Sequence, residues 1–215
     1  MYDPVGEDYD NYDYLYSEDA PLTINPATIK MKHLMAKVTV NVSMGTDNDA
    51  GEISHRATAI GCYNTADVTG GSYVGGIAGY MSSDFGATIT NCYNTAAITG
   101  EKRVGGIAGF HGTDRTVTNC YSTGTITATG TDAEYGGVVG NTNGGTITNC
   151  YYLNTAASGG INGADVEGQA EAKTAAEFAS ADMAVLLNGD QTDAPWEYIE
   201  DNATPTLKFF NKNKN

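Results

Sequence analysis

Few residues in this chain of 215 are of types, and in patterns, that could carry out catalysis. The three histidines, His33, His55 and His111, fall in different segments, and no His-Glu-x-x-His, Gly-x-Ser-x-Gly or phosphate-loop pattern occurs. A polysaccharide lyase or hydrolase would need two acids, or an acid with Arg or Lys, in one surface cleft. The residues that come nearest to such a set are Asp84, Asp114, Asp132, Arg103 and Arg115. They fall mainly in turns, where charged residues are ordinary, so we expect no enzymatic activity and keep a carbohydrate-active enzyme as the alternative.

The sequence gives equally little support to a metal site. Its four cysteines recur at one position of a repeat, but a zinc site needs ligands that converge in pairs, and no histidine lies beside them. The turn 45–51 contains Asp47-x-Asp49-x-Gly51, a fragment of a calcium loop that lacks the later ligands. The acidic run of residues 1–21 has no spacing that would bring its carboxylates onto one ion. We therefore expect neither a metal nor a cofactor.

Composition argues against two further classes of partner. The formal net charge of −15 would repel phosphate backbones, and the few Lys and Arg are scattered, so we expect no nucleic-acid binding. No apolar stretch of about 18 residues occurs, so we expect no transmembrane segment. Acids and tyrosines stand at the front of the chain, where a signal peptide would carry positive charge and an apolar core. Either the protein is intracellular or the front of a longer precursor is missing, and we expect the second.

An internal repeat must position the side chains. Gly-Gly-Ile-Ala-Gly at 75–79 recurs at 105–109 and returns as Gly-Gly-Val-Val-Gly at 136–140, each time followed by Asn-Cys-Tyr. Repeats of this size are single supersecondary units that must stack to bury a core. The aligned units are 57–86, 87–114, 115–144 and a partial copy at 145–153.

The repeat predicts an all-β fold. The 27 glycines and 14 tyrosines, with only 17% charged residues, favour strands joined by tight turns. One unit contains three strand candidates, at 88–90, 97–99 and 103–108. We therefore predict a short parallel β-helix, or solenoid, with coils of about 28–30 residues. Coils stacked about 4.8 Å apart place matching residues above one another, in side-chain columns.

Three aliphatic columns are predicted to form the core. Their burial would stabilise the stack by roughly 1.5–3 kcal/mol per side chain. Paired glycines, such as Gly105-Gly106, would stand where a side chain would block a close backbone approach. The predicted columns are Ile89, Val117 and Ile147, with Ile60 near its start; Val68, Ile98 and Ile126; and Ile77, Ile107 and Val138.

Two polar or sulfur columns follow from the same register. An Asn column at 91, 119 and 149 is expected to bond coil to coil through its amides, with Gly61 in its place in the end coil. The cysteines could form disulfides, but parallel side-chain vectors suit that bond poorly, and we expect buried thiols instead. The cysteine column consists of Cys62, Cys92, Cys120 and Cys150.

After residue 153 the repeat fades, and the open end of the solenoid needs a cap. Thr174-Ala-Ala-Glu177 is a capping box that predicts a helix ending at Asn188-Gly189. Trp196 is expected to pack in this cap, and a ligand pocket around it is the alternative. The apolar positions of the predicted helix are Phe178, Ala181, Val185 and Leu186, and Trp196, Tyr198, Ile199 and Leu207 are expected to help seal the last coil.

Recognition is predicted at the turns, because their sequences vary while the core repeats. The turns in question are 70–73, 100–103 and 129–135. The candidate recognition residues are Ser72, Tyr73, Glu101, Lys102, Arg103, Asp132, Glu134 and Tyr135.

The repeat unit resembles the GLUG motif, a short glycine-rich repeat of bacterial surface proteins, on the strength of its Gly-Gly-x-x-Gly cores. That resemblance implies extracellular display on a solenoid-like module and implies no reaction. Asp13-Tyr-Leu-Tyr16, followed by Lys32-His33-Leu34-Met35-Ala36-Lys37-Val38, resembles the N-terminal β-domain of fimbrillin-like proteins of Gram-negative anaerobes. Those proteins are exported lipoprotein precursors, which implies a similar origin here.

Together these observations predict a non-enzymatic protein of the bacterial outer surface, acting in adhesion or in fimbria-like assembly. Its partner would be a glycan, a host or bacterial protein, or another fimbrial subunit. The predicted divisions are an acidic tail at 1–21, a fimbrillin-like strand segment of a partial β-sandwich at 22–56, the repeats at 57–153 and the cap at 154–215.

Overall fold

Short strands of the repeated sequence pair in parallel with the matching strands of the next repeat. The computed structural model describes residues 27–30, 38–44, 53–81, 87–200 and 202–211, with the backbone alone for 27–30, 38–44, 53–57 and 211. The acidic tail, the turn 45–51, most of the fimbrillin-like stretch and Asp84 therefore lie outside the described residues.

An antiparallel hairpin precedes the repeats. Strand β1 (Ala27–Lys30) pairs with β2 (Val38–Met44), which pairs antiparallel with β3 (Ile53–Ile60). Strand β3 then pairs in parallel with the first strand of the next repeat, so that one sheet runs from the hairpin into the stack.

In the part of the chain that the structure describes, each full coil contains five short strands, two more than the sequence predicts. Turns at Asn91-Cys92 and Gly106-Ile107 each split a segment of the repeat in two. The strands of the first coil after β3 are β4 (Tyr63–Asn64), β5 (Val68–Thr69), β6 (Ser72–Gly75) and β7 (Ala78–Met81). The second coil has β8 (Thr88–Thr90), β9 (Tyr93–Asn94), β10 (Ile98–Gly100), β11 (Lys102–Gly105) and β12 (Ala108–His111). The third has β13 (Thr116–Thr118), β14 (Tyr121–Ser122), β15 (Ile126–Ala128), β16 (Tyr135–Gly136) and β17 (Val139–Thr142).

The partial fourth coil begins with β18 (Thr146–Thr148) and β19 (Cys150–Leu153) and is completed by an irregular segment. Strand β20 (Ala170–Lys173) pairs in parallel with β19, and Ile161 bridges Val139 of the third coil. Ile161 and Ala170 are buried against the aliphatic core. Residues 154–173 therefore cover this end of the stack.

The three predicted aliphatic columns are confirmed. Val117 pairs with Ile89 and Ile147, and Ile98 pairs with Val68 and Ile126, in each case at matching positions of neighbouring coils. The backbone bonds from Ile77 to Ile107 and from Ile107 to Val138 give the third column the same stacking. The described part of the chain is thus an all-β solenoid with parallel sheets.

The placement of Ile60 at the start of the first column is wrong. Ala59 pairs with Ile89, whereas Ile60 pairs with Thr90 and is 55% exposed. Successive residues of a strand point to opposite faces, so an offset of one residue turns Ile60 outward.

Glycine is required at the paired positions because of close backbone approach. A side chain at Gly106 would place its Cβ 2.1 Å from the carbonyl oxygen of Gly137 and 2.4 Å from the Oγ of Ser122. Such distances are shorter than any normal contact, so the glycine fixes the separation of neighbouring coils.

The asparagine column has a different main role from the one predicted. Asn91, Asn119 and Asn149 all have φ of 54°, and Gly61 at the same position has φ of 64°. Asn and Gly are the residues that adopt this left-handed conformation most readily. Among the described members of the column, Asn149 alone bonds to a neighbouring member, donating from Nδ2 to Oδ1 of Asn119 at 2.8 Å, whereas Asn91 bonds to Gln191.

The four cysteines are buried as thiols, as expected. The Cys120 Sγ lies 3.0 Å from the carbonyl oxygen of Thr118, and the backbone N–H of Cys92 donates to the same sulfur at 3.4 Å. Burial raises the pKa of the Cys120 thiol well above its usual value. The column thus behaves as a file of small hydrophobic side chains.

The predicted helix consists of two helices, α1 (Ala175–Phe178) and α2 (Ala181–Asn188). Thr174 and Glu177 form the predicted capping box, but Ser180 then acts as a new N-cap by accepting from the backbone N–H of Met183. This break rotates the second helix relative to the predicted apolar face. Ala181, Val185 and Leu186 are therefore exposed, whereas Met183, Ala184 and Leu187 are buried with Phe178.

The C-terminal segment packs along the side of the solenoid and does not seal its last coil. Strands β21 (Trp196–Glu197) and β22 (Thr206–Leu207) form a hairpin, followed by helix α3 (Lys208–Asn211). Trp196 packs on Tyr93 of the second coil, with ring centroids 5.9 Å apart, and Phe210 packs on Tyr63 of the first coil at 4.8 Å. Trp196 is 1% exposed, as expected for core packing, whereas Ile199 is 39% exposed.

Candidate binding surface

Two neighbouring columns of outward side chains form a mixed aromatic and polar surface on three coils. The pairing of Phe110 with Tyr80 and Asn141 defines the first column directly. The second column follows from the pairs that flank it, because Val104 is opposite both Val74 and Tyr135. The six residues are Tyr73, Arg103 and Glu134 in one column, and Tyr80, Phe110 and Asn141 in the other. We call them the open face.

The last glycine of the Gly-Gly-x-x-Gly motif lets the two columns stand side by side. A Cβ on Gly79 would lie 2.5 Å from the carbonyl oxygen of Tyr73, and one on Gly109 would lie 2.6 Å from the carbonyl carbon of Tyr73. A Cβ on Gly140 would meet the carbonyl carbon of Arg103 at 2.7 Å. Each of these glycines directly precedes a member of the other column, so the motif that builds the coil also brings the two columns together.

The three aromatic rings form a right-angled cluster. Tyr80 and Phe110 are stacked, with centroids 4.9 Å apart and planes at 10°. Tyr73 stands across them, with planes at 89° to Tyr80 and 87° to Phe110. Tyr80 is 51% exposed and Tyr73 is 37% exposed, whereas Phe110 is covered. Two phenol rings are therefore presented to solvent on a buried third ring.

Arg103 connects the rings to the polar end of the face. Its Nη1 donates to the hydroxyl of Tyr73 at 2.6 Å, and its Nε donates to a carboxylate oxygen of Glu134 at 2.8 Å. Its guanidinium lies 5.0 Å from the ring centroid of Tyr73 and 5.2 Å from that of Phe110, within the range of cation–π attraction. The bond to Glu134 raises the pKa of Arg103 further, and Asn141 donates to the other oxygen of that carboxylate at 2.6 Å.

The backbone of this surface is unusual for its residue types. Tyr73 has φ of 60° and Arg103 has φ of 57°, in the left-handed region. Neither Tyr nor Arg favours this region, which costs roughly 1–2 kcal/mol for residues with a Cβ. The conformation repeats in two coils and holds both side chains on the open face.

Three of the eight predicted recognition residues come together here. Tyr73, Arg103 and Glu134 belong to the open face. Tyr135 contacts Ser158 through its hydroxyl and packs beside the Ile98 column, away from the rings. The contacts of the described residues do not connect the remaining four to the cluster, although all four are exposed: Ser72, Glu101, Lys102 and Asp132.

Sequence reasoning missed the second column. Tyr80, Phe110 and Asn141 each follow the motif's last glycine directly, and the first two are aromatic. This recurrence at one repeat position was the available signal. All of the predicted recognition residues lay in the variable turns, and none was predicted next to the constant motif.

The charged set that would serve a polysaccharide lyase has other contacts in the structure. Arg103 is bound to Glu134 and Tyr73 on the open face. Arg115 is 2% exposed and donates to the carbonyl oxygen of its neighbour Asp114 at 2.9 Å. Among the described residues, no group of three or more His, Cys, Asp or Glu side chains is placed to hold a metal ion.

A depression lies next to Thr118 and Thr148, at the end of helix α2. It has a volume of about 530 Å³, with Asn149 at its wall. The amide of Asn149 already donates to Asn119 and to the carbonyl oxygen of Leu186. The amide of Asn149 is therefore already engaged by the protein itself. Its lining residues are Thr118, Asn119, Thr148, Asn149, Gly168, Gly189, Asp190 and Gln191.

The fold and the repeated face define a parallel β-solenoid repeat protein. Comparison with protein families gives two matches to the GLUG motif, at residues 70–99 and 100–127, so the chain carries GLUG repeats. No curated protein and no solved structure matches the chain. The comparisons do not support the resemblance of the N-terminal stretch to fimbrillin-like proteins. Within the parts of the chain that the structure describes, no helix is both long and apolar enough to cross a membrane.

Proposed function

We propose that this chain belongs to an exported, non-enzymatic protein of the bacterial outer surface that acts in adhesion or in fimbria-like assembly. The GLUG repeats and the solenoid fold support a repeat surface protein. The finer role rests on one observation, the open face: a fixed array of six side chains with two exposed tyrosines.

Rigidity makes such an array useful for binding. The face is carried by strands that are paired on both sides in the second coil, and its backbones approach so closely at Gly79, Gly109 and Gly140 that a Cβ there would lie less than 3 Å from a neighbouring backbone atom. Its side chains are held by bonds from Arg103 and Asn141 to Glu134. A preorganised face loses little conformational entropy on binding a partner, which favours adhesion by many weak contacts on a cell surface.

A surface-labelling experiment tests this proposal. Antibodies raised against the purified chain should label intact cells that carry the gene, and deletion of the gene should reduce adhesion of those cells to glycan-coated or protein-coated surfaces. Labelling only after lysis would overturn the export proposal. Unchanged adhesion and unchanged surface appendages in the deletion strain would overturn the role.

Absence of catalysis belongs to the same proposal. Both arginines of the candidate catalytic set are engaged in bonds of their own, which supports a binding role. Incubation of the purified protein with acidic polysaccharides should release no new reducing or unsaturated ends. Release that depends on Asp114 or Asp132 would instead establish a carbohydrate-active enzyme.

A further inference from the structure

The types of side chain on the open face indicate the chemical class of its ligand. We infer that it recognises a neutral glycan, with a pyranose ring packed against Tyr80 and Tyr73 and its hydroxyls bonded by the polar groups of the same face. This inference rests on the proposed function and adds the chemical class of the ligand.

The rings supply the apolar part of such a site. A pyranose has faces of C–H groups that pack on aromatic rings, and aromatic side chains offer large apolar area with little conformational entropy to lose. A single isolated ring makes a poor platform for a sugar, but here three rings support one another at centroid distances of 4.9–6.1 Å. The two accessible rings lie at 89°, so a ligand can contact both at once.

The polar groups match the many hydroxyls of a sugar. The open face holds hydrogen-bond donors and acceptors in the same coils as the rings or in the next coil. They are the phenol hydroxyls, the guanidinium of Arg103, the carboxylate of Glu134 and the amide of Asn141. Arg103 has five N–H donors and uses two in the bonds to Tyr73 and Glu134. Glu134 has further lone pairs besides those that accept from Arg103 and Asn141. Hydroxyls can therefore be paired without breaking the network.

Charge selects among glycans. Arg103 and Glu134 neutralise one another across 2.8 Å, so the face itself presents little net charge. The chain as a whole carries −15, which repels polyanions at low ionic strength. Acidic polysaccharides and nucleic acids are disfavoured for this reason, whereas neutral sugars are unaffected.

Glycan-array binding with matched variants tests this inference. The purified chain, presented on multivalent beads, should bind a subset of neutral oligosaccharides and no acidic ones. Tyr80→Ala should reduce the affinity for the best neutral oligosaccharide at least fivefold. Phe209→Ala is the matched control, because Phe209 is an aromatic residue of similar exposure, 47%, outside the open face, and its binding should equal that of the unmodified chain.

Additional variants and measurements distinguish loss of glycan binding from loss of folding. Arg103→Lys should reduce binding less than Tyr80→Ala does, because lysine keeps the charge but loses the planar fork of donors. Thermal unfolding of each variant distinguishes lost binding from lost folding. The glycan assignment is overturned if the unmodified chain binds no neutral glycan, or if the Tyr80→Ala variant binds as tightly as the unmodified chain. Binding of acidic glycans or proteins alone at the open face would overturn it as well. If cells still display the protein and adhere through it, the proposed function stands even then.

Discussion

The solenoid builds two aromatic columns by the same rule, yet one is covered and the other is open. Tyr63, Tyr93 and Tyr121 stack at 5.2 Å and 5.1 Å with planes within 10°, and Tyr80 stacks on Phe110 at 4.9 Å and 10°. The first column is a covered face, packed under the C-terminal segment, and Tyr121 is fully buried there.

The column that the C-terminal segment covers has a structural role, whereas the exposed column is available for binding. The hydroxyl of Tyr121 donates to the carbonyl oxygen of Pro205 at 2.8 Å, and Trp196 and Phe178 pack on its ring. Burial raises the pKa of Tyr121 far above its usual value. Tyr80, at the same spacing from its neighbour, is 51% exposed. Ring stacking is thus a consequence of the repeat, and only the position of the C-terminal segment decides which column is free to bind.

One of the two largest effects on stability is expected from a side chain at Gly106, where the backbones of neighbouring coils approach closely. Gly106→Val should lower the free energy of unfolding by about 3 kcal/mol or more, because its side chain would overlap the Gly137 carbonyl and Ser122. Gly71→Ala is the control, because a Cβ there meets nothing within 4 Å, and its unfolding free energy should change by only about 0.5 kcal/mol. Urea denaturation measures both, and equal losses would contradict the close-packing argument.

The next effect contrasts the two faces directly. Trp196→Ala should cost about 3–5 kcal/mol, because it empties the site over Tyr93 and Tyr121. Tyr80→Ala on the open face should cost less than about 1 kcal/mol, as expected for an exposed side chain. Urea midpoints of the two variants give the comparison. A loss on Tyr80→Ala as large as that on Trp196→Ala would show that the open face is structural too.

Acid should weaken the support behind the open face. His111 is buried next to Phe110, with Nδ1 3.0 Å from the Thr142 hydroxyl, and burial lowers the pKa of His111 below 6.5. The unfolded chain therefore takes up this proton at a higher pH than the folded chain does. Stability should fall as the pH drops through about 6.5 and should level off below the folded-state pKa, at about 1.4 kcal/mol per pKa unit of difference.

His111→Gln provides the matched test of that pH dependence. Glutamine keeps a hydrogen-bonding side chain but does not titrate, so the slope of unfolding free energy between pH 5 and 7 should flatten, as judged by urea denaturation at several pH values. A slope that persists in the variant would assign the effect to other groups.

The smallest effect is expected from the ion pair of the open face. The Arg103 and Glu134 side chains are 26% and 28% exposed, and pairs of this kind contribute about 0–1 kcal/mol. Glu134→Gln should therefore change the melting temperature little, while removing the bond that anchors Arg103. A large destabilisation would mean that the pair belongs to the core and is not a binding element.

The stacking of the coils was predictable from the sequence, because every coil has the same packing requirement at the same position of the repeat. Each coil must place an aliphatic residue above another, so the Ile98 and Ile107 columns follow from alignment alone. The paired glycines were predictable for the same reason, since a position that excludes a side chain excludes it in every coil. The number of strands per coil was not predictable, because the left-handed conformation of Asn91 is not separated by the pattern from ordinary turn residues, and the turn at Gly106-Ile107 lies inside one predicted strand.

The candidate surface was only half predictable. Tyr73, Arg103 and Glu134 fell in variable segments that the sequence predicted as turns, although the structure places Tyr73 on β6 and Arg103 on β11. Their partners Tyr80, Phe110 and Asn141 follow the constant motif, where no recognition residue was predicted. A one-residue offset decides whether a strand residue faces inward or outward, as Ile60 also shows.

The amino-acid sequence by itself determined the repeat length, the aliphatic columns and the positions that only glycine can occupy, because these depend on local spacing that every coil shares. Tertiary structure alone decided that the C-terminal segment covers the column of Tyr93 and Tyr121 and leaves that of Tyr80 and Phe110 exposed. That choice depends on contacts between residues about a hundred positions apart, such as Asn91 with Gln191, which occur once and carry no periodic signal.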